Sequence, residues 1–277
     1  MNRLRTFAYG IALGSVLWGG FSQLYRPTTM AATEEGILKL IANGEDFVRQ
    51  GFVSKDGWEI EFDRLDVNLS DAVAYSTESF EPQPGDTKES IEFQHQANFD
   101  TAGAVDLAAG EADAEPITVA QVEVPLGFYN ALTWGLSTAD SNSAIAGNTM
   151  VLDGRATKNG ETVDFVLGFN QPLEYVCGEF VGDERLGIVQ VNEPGQVETT
   201  FHFDHIFGDA DTPLEDALNA DALGFQPLAD LASEGTLELN ETDLAERLSP
   251  QNYQKLTEAI AGLGHVGEGH CVIANSQ

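Results

Sequence analysis

The chain holds five histidines, and two of them stand three residues apart in "FHFDHIFGD", residues 201–209. His202 and His205 are flanked there by Asp204 and Asp209. Two more, His265 and His270, share the short piece "GHVGEGHC", while His95 stands alone in "FQHQANFD". Neutral imidazole is the commonest side-chain ligand for zinc and copper, whereas carboxylates alone favour calcium or magnesium. His202 and His205, joined by His265 or His270, therefore predict a site for zinc or copper. Asp204 and Asp209 are candidates to ligate, or to orient a ring through its second nitrogen. His95 has no ligand spacing of its own and is the outermost candidate. The competing reading is a polar strand end where imidazoles close hydrogen bonds.

Such a site needs elements that bring distant residues together. "GQVETTFHFDH" alternates and reads as a strand. On an ideal strand His202 and Asp204 share one face while Phe201 and Phe203 point the other way, into a core. His205 joins His202 only if the chain bends, and the turn-like "GDAD" that follows predicts a bend. Cys177 and Cys271 are the two cysteines of the chain, an even count that predicts a disulfide in an oxidising compartment. That bridge closes a loop of nearly a hundred residues, for which chain entropy predicts about 4–5 kcal/mol of stabilisation. It would also pin "GHVGEGHC" near Tyr175 and Val176, within reach of the "HFDH" strand end.

The surrounding pattern is mainly β. In "DGWEIEFDRLDVNLSDAVAY" apolar and polar residues alternate, with a slip of phase near Arg64 that predicts a β-bulge. Further strands are expected in "ITVAQVEVP", "GFYNALTWGLS" and "NTMVLDGRATKNGETVDFVLGFN". Within the last, Asn159-Gly160 is a hairpin turn. "RLGIVQV" and "GQVETTF" are separated by "NEPG", another turn. Residues 76–90 and 108–116 read as exposed loops. "TEEGILKLIANGEDFVRQG" fits a short helix or a strand equally. Beyond residue 210 the spacing becomes helical, with Ser249-Pro250 as N-cap and first helical position and Gly262 and Gly264 as stops. The expected fold is thus mainly β, an antiparallel β-sandwich or open barrel over 33–210, with a small helical C-terminal appendage over 211–277 packed on the same domain.

Residues 1–32 have the three-part pattern of a secretory signal peptide: Arg3 and Arg5, an apolar run from Phe7 to Phe21, then the small residues of "TMAA". The run is short for a bilayer span. Export to the periplasm or the extracellular space is expected, with cleavage near Ala32; the alternative is an N-terminal membrane anchor. The formal charge is −32; loss of Arg3, Arg5 and Arg26 would leave ten basic against 45 acidic side chains, a net −35. Such a surface excludes nucleic acid and anionic membrane as partners and favours cations.

A weaker calcium-loop pattern runs from Asp230 through Glu234 and Gly235 to Glu241, with Ala232 where a ligand oxygen is required. Catalytic signatures are missing: no H-E-x-x-H, G-x-S-x-G, phosphate loop or dinucleotide fingerprint occurs. No catalytic residue is therefore assigned.

"TFHFDHIFGD", followed by a helical segment and "GHVGEGHC", resembles the C-terminal half of a group of bacterial envelope proteins. That group combines a β-sandwich with an H-x-D-H-[IL]-F segment, and "VPLGFYNALTW" resembles one of its strands. The pattern is loosely similar to periplasmic metal-binding proteins linked to methanobactin and copper handling. The resemblance implies a metal-associated envelope protein, with the motif falling on His202, Asp204, His205 and Phe207. The combined expectation is an exported carrier, sensor or accessory protein that binds zinc or copper, with a metal ion and another envelope protein as partners. The alternatives are a non-catalytic adhesion or scaffolding module with structural histidines, and a zinc-dependent hydrolase.

Overall fold

The computed structural model describes residues 34–101 and 103–274. The expected signal peptide, 1–32, lies outside the described residues. Among the described residues no helix is long and apolar enough to cross a membrane.

Strands dominate and form three larger sheets and one small one. The first sheet runs, in spatial order, Gly269–His270, Gly264–Val266, Gly195–Phe201, Glu35–Asn43 and Ile117–Pro125. The second runs Thr236–Asn240, Glu161–Phe169, Met150–Lys158, Glu59–Val67 and Phe52–Val53, with Val105–Asp106 also paired to Glu59–Val67. The third runs Val272–Ile273, Leu173–Cys177, Ala131–Leu136, Leu69–Ser76 and His95–Asn98. Among the described residues no sheet closes on itself, so the expected mainly β fold is observed as sandwich-like sheets and not as a closed barrel.

Local sequence explains most of this. The hairpin Met150–Lys158/Glu161–Phe169 turns on Asn159 and Gly160, both at positive φ (51° and 84°) as a two-residue turn requires. The phase slip near Arg64 is a bulge: Asp153 faces Arg64 and Gly154 faces Phe62, leaving Asp63 unpaired. Gly154 is needed there because a Cβ would collide with the Glu61 carbonyl. Residues whose spacing fitted helix or strand equally form both, the strand Glu35–Asn43 and the helix Glu45–Gln50. Two pairings are parallel, Glu35–Asn43 with Gly195–Phe201 and Glu161–Phe169 with Thr236–Asn240, so the sheets are mixed rather than purely antiparallel.

The C-terminal segment carries the expected short helices, among them Ala217–Asp221, Glu241–Arg247 and Pro250–Ala261. The Ser249 hydroxyl caps the last of these, accepting from the Asn252 N–H at 3.2 Å. Between and after the helices the same segment adds an edge strand to each larger sheet. Leu237 and Leu239 point into the core, as do Leu244, Leu256 and Ile260 from the helices. The appendage is thus sewn to the β layers by both pairing and burial. Phe201 and Phe203 are fully buried beside Trp134 and Phe62, so the strand that carries the histidines is anchored by its apolar face.

Candidate metal site

The strand Gly195–Phe201 ends one residue before His202. Phe203 takes helical dihedrals, and Asp204–Phe207 forms a single helical turn in which the His205 N–H donates to the His202 carbonyl at 3.2 Å. Gly208, at φ 66°, stops it. This turn supplies the expected bend. It brings His202 and His205 together by three-residue helical spacing, because a straight strand would put them on opposite faces.

His265 arrives from the far end of the chain. Strand Gly264–Val266 pairs with the end of Gly195–Phe201 so that His265 faces Thr200 and Gly264 faces Phe201. Gly264 lies flat against the Tyr175 ring, where any side chain would collide. Gly267, at φ 59°, turns the chain so that His270 pairs with His265. Cys271 then bonds to Cys177, and Val272–Ile273 pairs with Tyr175 and Val176. The expected disulfide and the expected placement of "GHVGEGHC" beside Tyr175 and Val176 are both present.

Each of His202, His205 and His265 offers a ring nitrogen within 4.8 Å of the others, a set that can hold a metal ion. Zinc–imidazole bonds of about 2.0–2.1 Å in a tetrahedron set ligand nitrogens about 3.3 Å apart, so closing the set on an ion requires the stacked His202 and His265 planes to tilt apart. The His202 and His265 rings stack at 4.0 Å, and His205 meets His265 edge-on at 5.1 Å. His270 lies outside the three, its ring 4.3 Å from His265 and 6.1 Å from His205, and its side chain is exposed.

Backbone carbonyls orient two of the rings. His205 Nδ1–H donates to the Gly262 carbonyl at 3.1 Å, which leaves Nε2 with the free lone pair. His202 Nε2–H points at the Gly267 carbonyl (3.3 Å) and at Glu45 Oε1 (3.4 Å), which leaves Nδ1 free. His265 is 2 % exposed, yet neither of its ring nitrogens has a hydrogen-bond partner. A buried polar atom without a partner costs about 1–3 kcal/mol. His202 and His205 thus close hydrogen bonds, as the competing reading of this strand end expects, and His265 does not.

Electrostatics act in the same direction. Burial, then the neighbouring His202, His270 and His205, push the His265 pKa down to about 3, opposed only slightly by the Gly262 carbonyl, which lies outside hydrogen-bond geometry. Burial is also the main cause of the lowered His205 pKa, opposed by Asp204. These imidazoles are held neutral, the form a metal requires. Glu45 is pushed up to about 7 by burial and then by Glu268, Asp204 and Glu198. Burial also raises Glu198, although Thr200 Oγ1 and Asn43 Nδ2 donate to its carboxylate at 2.8 and 3.1 Å. One Asp204 carboxylate oxygen is buried without a partner. Crowded carboxylates and neutral imidazoles are both relieved by a cation between them.

The other candidates fall elsewhere. Asp209 builds its own turn, accepting from the Asp211 N–H (3.1 Å) and Thr212 Oγ1 (2.8 Å). His95 is exposed on the edge strand of the third sheet, opposite Ser76. The calcium-loop residues do not converge. Asp230 accepts from Gln226 Nε2, Glu234 sits in a turn at φ 54°, and Glu241 Oε2 accepts from the Asn170 and Gln171 N–H groups. Residues 236–240 are a strand instead, because burial of Leu237 and Leu239 imposes period-two alternation. Glu45, Glu198 and Glu268 carried no ligand spacing and were not among the sequence candidates; only the fold brings them here. No family model, no curated protein and no solved structure matches this chain.

Proposed function

We propose that this chain is an exported protein that binds a transition metal, zinc or copper, through His202, His205 and His265, and acts as a carrier, sensor or accessory protein of the bacterial envelope. The observation that carries the reading is His265: a buried imidazole with both nitrogens unpartnered, stacked on His202 and met edge-on by His205, whose own N–H groups are committed to carbonyls. Three imidazoles suit zinc or copper better than calcium or magnesium. The disulfide supports an oxidising compartment. The resemblance of "HFDHIF" to the H-x-D-H-[IL]-F envelope group points the same way.

The test is metal analysis of protein purified without a histidine tag, followed by calorimetric titration with zinc and copper. Wild type should bind one ion, and His202→Ala, His205→Ala and His265→Ala should each lose most of the affinity. Equal affinity in wild type and all three variants would leave the cluster without a ligand role. A second reading, a zinc-dependent hydrolase, is favoured by one observation: three imidazoles leave a fourth position, and the half-buried Glu45 carboxylate lies beside them. Metal-dependent ester or peptide hydrolysis that Glu45→Gln abolishes, with zinc still bound, would select it.

A further inference from the structure

His270 takes no part in the three-histidine set, and the fold keeps it exposed at the outer side of His265. It lines a cleft of about 480 Å³ together with His205, Leu218, Ala259, Asp221 and Glu258. Two of these side chains are carboxylates, both exposed, and neither lysine nor arginine lines the cleft. The cleft therefore meets the metal-binding set at His205 and presents negative charge outward. A second cleft that also touches His270 carries Glu78, Glu81 and Glu179 with Arg185, but His205 does not line it, so of the two only the first cleft reaches the three-histidine set.

We infer that the cleft between helices Ala217–Asp221 and Pro250–Ala261 is the mouth through which a hydrated divalent cation reaches and leaves the site, with His270 as the ligand that takes hold of it first. This rests on the metal-binding reading above. Asp221 and Glu258 raise the local cation concentration; charged clefts of this kind speed association by about 10–1,000-fold at low ionic strength. His270 replaces part of the hydration shell at the rim. It then passes the ion inward to His205 and His265, its neighbours at 6.1 and 4.3 Å between ring centres. No bond other than metal–ligand bonds is made or broken, and the displaced waters return to solvent.

A capture ligand and a resting ligand leave different kinetic signatures. A residue of the resting coordination sphere stabilises the bound state, so its loss speeds dissociation and weakens affinity. A residue that binds only during passage lowers the barrier in both directions, so its loss slows association and dissociation by similar factors and leaves affinity nearly unchanged. Stopped-flow mixing of the full chain with zinc against a competing fluorescent chelator measures both rates. His270→Ala should slow each about tenfold, with Kd within threefold of wild type. Asp221→Asn with Glu258→Gln should slow association at low salt, and the difference should vanish near 1 M salt, where the screening length is about 3 Å. Faster dissociation with weaker affinity in His270→Ala would make it a resting ligand and overturn the inference. So would rates unchanged in both variants. Loss of zinc binding in His202→Ala alongside unaltered kinetics in His270→Ala sinks the mouth alone, whereas a wild-type chain that binds no zinc sinks both readings.

Discussion

His265 and His202 lie face to face, ring centres 4.0 Å apart with 15° between planes, and His265 finds no hydrogen-bond partner for either nitrogen. In metal-free protein the arrangement costs stability, so removing the polar atoms should help the apo fold while ending its binding. His265→Leu is expected to raise the apo unfolding free energy by about 1 kcal/mol or more, from the orphaned nitrogens that it removes. Urea unfolding in the presence of a chelator reads this directly. A destabilised apo variant would mean that the imidazole is satisfied by a contact other than metal.

Cys177–Cys271 ties the third sheet to the segment that carries His270, across 94 residues of chain. The double variant Cys177→Ala/Cys271→Ala should lose about 4–5 kcal/mol of stability by the loop-entropy argument. Unfolding curves of wild type with and without reductant should differ by the same amount, and those of the double variant should not differ.

Legibility in the sequence followed the range of the signal. Alternation placed the strand before His202, and Asn159-Gly160 placed the hairpin, because period and turn chemistry are local. The phase slip near Arg64 revealed the bulge at Asp63 for the same reason. The joining of His202 and His205 was conditional on a bend, and "GDAD" suggested one; the bend comes earlier, at Phe203, as a helical turn. Strand direction was not legible, since periodicity is blind to whether a neighbour runs parallel, as Gly195–Phe201 does against Glu35–Asn43. The grouping of His265 rather than His270 with His202 and His205 depended on cross-strand register, which no local pattern encodes. Glu45 was invisible for a further reason. It sits at φ 62° at the start of a six-residue helix, held by its N–H bond to Asn43 Oδ1 at 2.8 Å, and nothing in its spacing links it to a histidine more than 150 residues away.

Glu45 should matter to metal binding without being a ligand. Its Oε1 lies 3.4 Å from His202 Nε2, where a carboxylate fixes the ring and makes its other nitrogen more basic. Glu45→Gln is expected to weaken zinc affinity about tenfold, against loss of most binding in His202→Ala. The comparison is made by titration calorimetry at one pH. Affinity equal to wild type would remove Glu45 from the site.

Metal-free stability should depend on pH through opposed groups, His265 and His205 on one side and Glu45 and Glu198 on the other, with His265 and Glu45 shifted furthest. His265 has its folded pKa lowered to about 3 from 6.5, so its folded form resists protonation. Stability linked to it is full above pH 6.5 and is lost as pH falls toward 3. Glu45 has its folded pKa raised to about 7 from 4.5, so its folded form resists ionisation. Stability linked to it is full below pH 4.5 and is lost as pH rises through 7. Between about pH 4.5 and 6.5 the two slopes oppose each other, and the apo protein should show a shallow profile there. Glu45→Gln removes one of them. That variant should gain stability with rising pH across the window, at no more than about 1.4 kcal/mol per unit for each buried imidazole, less where solvent screens the charge. His265→Leu should leave Glu45 opposed by the lowered His205 alone, so its stability should fall more steeply than wild type as pH rises across the window. Chelator-treated samples unfolded in urea at half-unit steps give the three profiles. Parallel curves for wild type and Glu45→Gln would show that the Glu45 carboxyl titrates alike in the folded and unfolded chains, contrary to its burial among Glu268, Asp204 and Glu198.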